Sequence, residues 1–250
     1  MGWIGKIVGG TIGLFIGGPL GAVAGVALGH GLDVARDTSL GTDVRYSSPQ
    51  HKAQLTFFVA TFSMLAKIVK ADGKITQQEL STIEEFMVRD LHLDPGSRQV
   101  AGKIFRTALE SNESFESFAT QFYHQFNTNP QFLELLIDIL VRVAASDGEY
   151  SPNEEALITE AVRIFGFSKE YYTIIKQRYV KTTNRSYAVL GCSEQDSNET
   201  IKKKYKKLVF EYHPDTIASK GLPEEFTKYA NDKFREIQEA YEAIRRERGF

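Results

Sequence analysis

Near the carboxyl end of the chain, residues 201–215 read IKKKYKKLVFEYHPD. Four apolar or aromatic residues recur at the spacing of one helical face: Ile201, Tyr205, Leu208 and Tyr212. Three lysines fall on the opposite face: Lys203, Lys206 and Lys207. The pattern predicts a helix, capped at its start by Asn198, with one buried and one basic face. Because the residue before a proline is disfavoured in the α conformation, Pro214 ends this helix and leaves His213 and Asp215 displayed in a loop.

A second amphipathic stretch follows the predicted loop and continues to Phe250. Its apolar residues also repeat at helical spacing: Ala230, Phe234, Ile237, Tyr241 and Ile244. The two helices therefore have matching apolar faces and are expected to pack antiparallel. Tyr187 and Leu190, in a short helix before Gly191, would complete a small core.

Residues 186–250 resemble the J-domain family. The likeness is carried by residues 187–191, which read YAVLG, and by His213-Pro214-Asp215. Three segments resemble more specifically the DjlA type, a membrane-anchored DnaJ-like co-chaperone: YHPD at 212–215, KGLP at 220–223 and EIQEAY at 236–241.

The J-domain resemblance implies a protein that stimulates ATP hydrolysis by a partner ATPase of the DnaK class and does no covalent chemistry itself. In that family the loop inserts between the ATPase domain and its linker, and the basic helix meets an acidic surface. The resemblance assigns partner binding to seven residues: His213, Pro214, Asp215, Lys203, Lys206, Lys207 and Tyr212. The Asp215 carboxylate can accept a charge-assisted hydrogen bond from an arginine, and the lysines raise the encounter rate. Such an interface weakens with salt.

A plainer interpretation of the same residues is a solvated basic helix that ends at a proline. It does not account for the combined pattern of loop, lysines and second helix. Phe210 is an unusual member of the basic side, where it either packs against the loop or adds apolar area to a partner contact. The sequence leaves both roles for Phe210 open.

The amino terminus carries 23 consecutive uncharged residues, from Ile7 to Gly29. A helix of this length reaches roughly 34 Å at 1.5 Å per residue, which is enough to cross a bilayer core of about 30 Å. We therefore predict a glycine-rich transmembrane anchor over residues 1–33. Residues 29–36, which read GHGLDVAR, resemble the exit from the anchor in the DjlA family.

Two other interpretations compete with the anchor. A cleaved secretory signal would have the charged start at Lys6 and the small-residue pattern Ala22-Val23-Ala24. A flexible glycine-rich tail is disfavoured by the many large aliphatic residues. Since basic residues flank both sides of the segment, they do not set its orientation. The implied partner is cytosolic in bacteria, so we expect a single-pass protein of the inner membrane with its remaining domains in the cytoplasm.

Glycine recurs at every fourth position of the apolar segment: Gly5, Gly9, Gly13, Gly17, Gly21, Gly25 and Gly29. This period drifts by roughly 40° per step around a helix of 3.6 residues per turn, so that only three or four successive glycines share a face. Small residues let two membrane helices approach closely. We predict a homodimer seam, loosened in the middle by Pro19, that is formed by Gly9, Gly13, Gly17 and Gly21.

Residues 34–49 are predicted to form a linker, and residues 50–182 show helical patterns with no convincing strand. Two apolar stripes stand out: Leu55, Phe58, Phe62, Leu65 and Val69 in the first, and Phe115, Phe118, Phe122 and Phe126 in the second. An internal repeat with an offset of 75 residues aligns residues 71–79 with 146–154. Each copy ends a helix at Asp-Gly and starts another with a capping box, which predicts a duplicated helical hairpin.

The paired Asp-Gly boundaries resemble the TerB-like domain, named for tellurite resistance and also present in the DjlA type. Because TerB relatives have been linked to metal binding, four acids are candidate ligands: Asp72, Glu79, Asp147 and Glu154. Neither copy has the alternating oxygen donors of a calcium-binding EF-hand. Capping by Thr76 with Glu79 and by Ser151 with Glu154 accounts for these acids without a metal. We expect a surface for clients or regulators and no metal or cofactor.

The composition narrows the function further. With 250 residues the chain has room for two small domains and an anchor, and its formal net charge of -2 disfavours a general nucleic-acid binder. Cys192 is the only cysteine, so that an intrachain disulfide and a cysteine zinc cluster are excluded. Five histidines, at 30, 51, 92, 124 and 213, form no metal-ligand spacing, and Gly-x-Ser-x-Gly is absent. We therefore expect the chain to have no enzymatic activity of its own.

The sequence therefore predicts an all-α protein with an anchor at 1–33, a linker at 34–49, a TerB-like bundle at 50–182 and a J-domain at 186–250. Its expected function is that of a membrane-anchored co-chaperone that acts on a DnaK-class ATPase. A rival hypothesis is a membrane stress-signalling adaptor whose TerB-like domain binds a metal or an envelope partner. The sequence names neither the client nor the physiological signal.

Overall fold

The computed structural model describes residues 16–29, 49–146, 151–179, 184–218 and 221–250. Helices dominate these ranges, with the following bounds: α1 Gly18–Gly29, α2 Pro49–Val69, α3 Gln77–Glu85, α4 Pro95–Glu110, α5 Phe115–Phe126, α6 Pro130–Ala144, α7 Pro152–Ile164, α8 Lys169–Tyr179, α9 Arg185–Val189, α10 Asn198–Glu211, α11 Pro214–Ala218 and α12 Glu224–Arg248. A π-helical turn, Phe86–Asp90, continues α3. Because these ranges hold no strand, the predicted all-α class is confirmed.

Helix α2 is the centre of the helical domain, which comprises α2 to α8. The sequence shows one apolar stripe on it, yet nearly every residue from Leu55 to Val69 is buried, because neighbouring helices cover it on all sides. Among the described helices, α2 alone is long and apolar enough to cross a membrane. Most of this span lies inside the fold, so α2 serves as a core helix. The second predicted stripe is buried on α5, where the Phe122 ring lies 5.4 Å from the Phe57 ring.

The duplicated hairpin is present. Helix α2 ends at Val69 and α3 starts at Gln77, while the second copy ends α6 at Ala144 and starts α7 at Pro152, which is the offset of the sequence repeat. Both predicted capping boxes form, and each serine or threonine side chain accepts the backbone N–H of its glutamate. The copies also touch, since Asn153 Nδ2 donates to Asp72 Oδ1 at 2.8 Å. Local capping and apolar spacing therefore fix both helix starts.

The predicted anchor is described only from Ile16 onward, and its helix is interrupted at one point within the described residues. Gly17 and Gly18 have φ of 63° and 59°, a left-handed conformation that interrupts an α-helix. Helix α1 begins at Gly18, within this break, and buries its apolar residues, among them Leu20, Val23 and Ala24, on the helical domain. Gln121 of α5 fixes the break: its side chain accepts the Leu20 N–H at 2.8 Å and donates to the Gly17 carbonyl at 2.8 Å.

The break also bears on the predicted dimer seam. Gly9 and Gly13 lie outside the described residues. Gly17 precedes α1 and Gly21 is buried within it, so the two do not share one continuous helix here. The seam therefore stays a prediction.

The carboxyl-terminal unit comprises α9 to α12 and has the predicted antiparallel hairpin of α10 and α12. The Tyr205 and Tyr241 rings stack with centroids 3.8 Å apart, and Tyr187 of α9 and the adjacent Leu190 are buried. One detail is wrong: the cap of α10 is Ser197, whose hydroxyl accepts the Thr200 N–H, and Asn198 is the first helical residue. Because serine and asparagine both cap helices well, the sequence did not distinguish Ser197 from Asn198 as the cap.

The carboxyl-terminal unit also packs on the helical domain. Phe226 of α12 has no exposed surface, and its ring lies 4.8 Å from Phe57 and 6.2 Å from Phe58 of α2. Among the residues the structure describes, the two units therefore share one apolar core.

Candidate functional site

The basic face of α10 is formed as predicted. Lys203 and Lys206 are exposed, because Ile201 and Leu208 direct the other face of the helix into the core. Lys207 is exposed too, but its Nζ lies 3.4 Å from Glu211 Oε1, so part of its charge is offset within the helix. The exposed positive charge of α10 is therefore carried mainly by Lys203 and Lys206, in the first two thirds of the helix.

Lys204 differs from its neighbours. Its Nζ donates to the Gly191 carbonyl at 2.6 Å and to Asp196 Oδ2 at 3.0 Å, so this lysine ties α10 to the preceding loop. Phe210 is 68% exposed, which answers the question the sequence left open: its ring does not pack against the loop. The basic face therefore includes one large exposed aromatic ring.

The His-Pro-Asp segment forms a helical turn, and the prediction of a loop there is wrong. Pro214 does end α10, but it also starts the short helix α11, because a proline at the first helical position costs no hydrogen bond. His213 Nδ1 accepts the Asp215 N–H at 3.2 Å, and its ring packs edge-on against Phe234 at 5.7 Å. The Asp215 side chain is 94% exposed, whereas that of His213 is 45% exposed. The histidine thus holds the turn while the carboxylate points to solvent.

Tyr212, predicted to bind the partner, is only 4% exposed. Burial, followed by the charge of Asp138 on α6, raises the pKa of Tyr212 well above its usual value. Its hydroxyl therefore stays protonated and faces the helical domain. Direct contact of Tyr212 with another protein would require the carboxyl-terminal unit to move away from the helical domain.

Three of the four acids weighed as metal ligands accept hydrogen bonds within the helical domain. Glu79 Oε2 accepts the Thr76 N–H at 2.6 Å, Glu154 Oε2 accepts the Ser151 N–H at 3.0 Å, and Asp72 accepts from Asn153. Asp147 lies outside the described residues. The part of the chain that the structure describes holds no cluster of three or more potential metal ligands.

Comparison with known proteins identifies families that match each part of the chain. Three family models match: the tellurite resistance protein TerB over residues 58–177, the DnaJ domain over 185–248 and the co-chaperone DjlA transmembrane domain over 1–39. The co-chaperone protein DjlA of Photobacterium profundum is 30% identical, and the alignment covers 98% of this chain and 99% of that relative.

The chain belongs to the DjlA co-chaperone family. Its DjlA relative in Coxiella burnetii is 28% identical, with 99% of both chains covered. The DjlA of Escherichia coli K12 is 29% identical, with 89% of both chains covered. No solved structure matches the chain. These findings confirm the DjlA resemblance, and α9 to α12 form its J-domain.

Sequence reasoning missed the residues through which the J-domain contacts the helical domain. One of them is Asp138, which has no exposed surface. The available signal was the pair of carboxylates, Glu134 and Asp138, within the apolar run LELLIDILVRVA at 133–144, since a charge in a buried helix needs partners. Nothing in the sequence around Tyr229 indicates that its hydroxyl binds this carboxylate.

Proposed function

We propose that the J-domain stimulates ATP hydrolysis by a DnaK-class chaperone and that His213 and Asp215 act as the trigger. The observation that carries this proposal is the exposure of Asp215, 94% of its side chain, on a turn whose flanking Tyr212 and Ile217 are buried. A carboxylate held on an ordered turn loses little conformational entropy when it accepts a hydrogen bond from a cation of another protein.

The basic face supplies the approach to that partner. Lys203 and Lys206 are exposed and lie on the helix that leads to the turn, so they attract an acidic surface before contact. Phe210, 68% exposed on the same helix, offers apolar area once the two surfaces meet. The lysines therefore govern the association rate, and Phe210 governs how long the complex lasts.

The test is single-turnover ATP hydrolysis by a purified DnaK-class chaperone, with the full chain in detergent or nanodiscs. His213→Gln should abolish stimulation with only a small change in the melting temperature, because the histidine is 45% exposed and holds a short turn at the surface of the J-domain. His124→Gln, which changes an exposed histidine of α5, is the matched control and should leave the rate unchanged. Full stimulation by His213→Gln would overturn the proposal.

The same proposal locates the protein at the bacterial inner membrane, with one span and with both domains in the cytoplasm. Support comes from the transmembrane family model over residues 1–39 and from the cytosolic partner that the function requires. Protease added to inverted membrane vesicles should remove the J-domain, whereas protease added to spheroplasts should not. The reverse pattern would overturn this topology.

Homodimerisation through Gly9, Gly13, Gly17 and Gly21 belongs to this proposal and rests on the four-residue glycine period. The seam requires Gly17 and Gly21 to lie in one helix, so Gly17 must leave its left-handed conformation when the segment enters lipid. Gly13→Leu combined with Gly17→Leu should remove crosslinked dimers from membranes without preventing insertion. Undiminished crosslinking would contradict the seam.

We also propose that the chain regulates another enzyme and catalyses no reaction itself. Burial raises the pKa of the Cys192 thiol to about 11, so the single cysteine is protonated at neutral pH and is a poor nucleophile. Assays of the purified chain without a chaperone should therefore show no ATP hydrolysis above the buffer rate.

A further inference from the structure

A buried carboxylate of the helical domain binds the J-domain. Asp138 lies in α6 with no exposed surface. Its Oδ2 accepts a hydrogen bond from the Tyr229 hydroxyl of α12 at 2.8 Å and another from the Tyr179 hydroxyl of α8 at 2.6 Å. Since Tyr229 belongs to the J-domain and Tyr179 to the helical domain, one carboxylate oxygen joins the two.

Two cations face the Asp138 carboxylate. Arg178 Nη1 lies 3.6 Å from Oδ1, and Lys233 Nζ of α12 lies 3.8 Å from Oδ2. Both distances exceed a normal hydrogen bond, and among the described residues Asp138 Oδ1 has no hydrogen-bond partner. Such a buried group contributes little net stability, but separating its members would leave charges unpaired. The main effect of the cluster is therefore to favour one orientation of the J-domain, and its contribution to the free energy of unfolding is small.

This cluster reaches the His-Pro-Asp turn through Tyr212. The side chain of Tyr212 is buried, and its electrostatic surroundings include Asp138, Arg178 and Glu134 of the helical domain. The next residue along the chain is His213. The chain thus enters the turn from a buried residue whose electrostatic surroundings include the helical domain, whereas the Asp215 side chain at the turn itself remains exposed.

Apolar contacts hold the rest of the interface. Phe226 fills a space beside Phe57 and Phe58 of α2, and the Leu222 carbonyl accepts from Gln54 Nε2 at 3.2 Å. Gly191, with a φ of 62°, lies so close to the Ile174 side chain of α8 that a Cβ there would collide with it. The J-domain therefore contacts the helical domain through α12, the turn before α12 and the turn after α9.

We propose that Asp138 is a positioning residue for the J-domain: by binding Tyr229 of α12, it fixes the direction in which the helical domain presents Asp215 to the chaperone. This inference rests on the proposed stimulation of a DnaK-class ATPase. It gives the TerB-like domain a role in that stimulation, since a change in its α6 or α8 would reorient the trigger. Free rotation of an undocked J-domain would reduce the fraction of chains in a productive orientation.

The test separates affinity from maximal stimulation. In the full chain, Asp138→Ala should raise the concentration for half-maximal stimulation by at least about fivefold and leave the maximal rate unchanged, because the trigger residues are intact. Tyr229→Phe, which keeps the ring and removes only the hydroxyl, should produce a smaller rise and keeps the test valid if Asp138→Ala does not fold. Tyr187→Phe is the matched control, since its hydroxyl bonds Glu247 and Arg248 within the J-domain.

A second readout reports docking without any chaperone. Spin labels at the exposed Gln99 of α4 and Arg246 of α12, in a Cys192→Ser background, should give one narrow distance distribution. Both interface variants should broaden it, and Tyr187→Phe should not. A broadened distribution with an unchanged or lowered half-maximal concentration would overturn the positioning role, as would a distribution that stays narrow. If the wild-type chain stimulates no chaperone, the proposed function fails, while the label distances still report whether the domains dock through Asp138.

Discussion

The J-domain has two contrasting surfaces. Its exposed surface faces solvent and carries charged side chains, and its docked surface packs on the helical domain. On the first, Asp215 is 94% exposed and stands beside the exposed lysines of α10. On the second, Tyr229 and Lys233 meet Asp138, which has no exposed surface. Exposed charges act over several ångströms and are screened by salt, whereas buried charges act in contact and favour one geometry. The comparison suggests that the exposed surface recruits the chaperone and that the docked surface orients Asp215.

The largest expected effect comes from changing one phenylalanine on each surface. Phe226→Ala should lower the free energy of unfolding by about 3–5 kcal/mol, because it empties a fully buried site between the two domains. Phe210→Ala, at a ring that is 68% exposed, should change it by less than about 0.5 kcal/mol and instead weaken stimulation of the chaperone. Urea unfolding followed by circular dichroism measures both, and equal losses of stability would remove the distinction between the surfaces.

The pH dependence of stability should come from the docked surface. Burial, followed by repulsion from Glu211, raises the pKa of Glu134 to about 7, against the opposing charges of Lys207 and Arg178. Below the ordinary glutamate pKa the group is protonated in both states, so its contribution to stability is complete there. As pH rises toward 7 the unfolded chain ionises first, and up to about 3 kcal/mol of stability is lost.

Glu134→Gln should therefore flatten the stability profile between pH 4.5 and about pH 7, the range between the ordinary glutamate pKa and the raised pKa of Glu134. Glu116→Gln, at an exposed glutamate of α5, is the matched control and should leave the profile unchanged. A Glu134→Gln profile that follows the wild-type curve would show that docking does not bury this carboxyl.

The smallest effect is expected on the exposed surface. Lys203→Glu combined with Lys206→Glu should slow association with the chaperone several-fold, by roughly 1 kcal/mol, and should reduce the salt dependence of the association rate. Unfolding should be unaffected. Stopped-flow association at two salt concentrations measures the effect. Lys74→Glu combined with Lys103→Glu, at two exposed lysines of the helical domain, is the charge-matched control. Identical salt slopes for the double variant and the wild-type chain would argue against electrostatic steering.

The exposed surface could be predicted from sequence because its signals are local. The spacing of Ile201 and Leu208 gives the face of α10, and Pro214 gives the end of the helix. The type of turn after it was wrong, since proline both ends and starts helices. The duplicated hairpin was equally visible, because Thr76 and Ser151 repeat a capping pattern.

The docked surface could not be predicted because its contacts join distant residues. Tyr229 and Asp138 are 91 positions apart, and no local period relates them. The burial of Tyr212 follows from the helical domain and not from its own helix, so its spacing gave the correct face but no information on what covers it. The left-handed Gly17 and Gly18 depend on Gln121, more than 100 residues away.

The most direct measurement is single-turnover ATP hydrolysis by a DnaK-class chaperone, titrated with the full wild-type chain and with Asp215→Asn. The exposed carboxylate is the proposed trigger, so Asp215→Asn should leave the rate at its basal value at every concentration, while the wild-type chain raises it to a plateau. A plateau of wild-type height with Asp215→Asn, or no stimulation by the wild-type chain, would contradict the account.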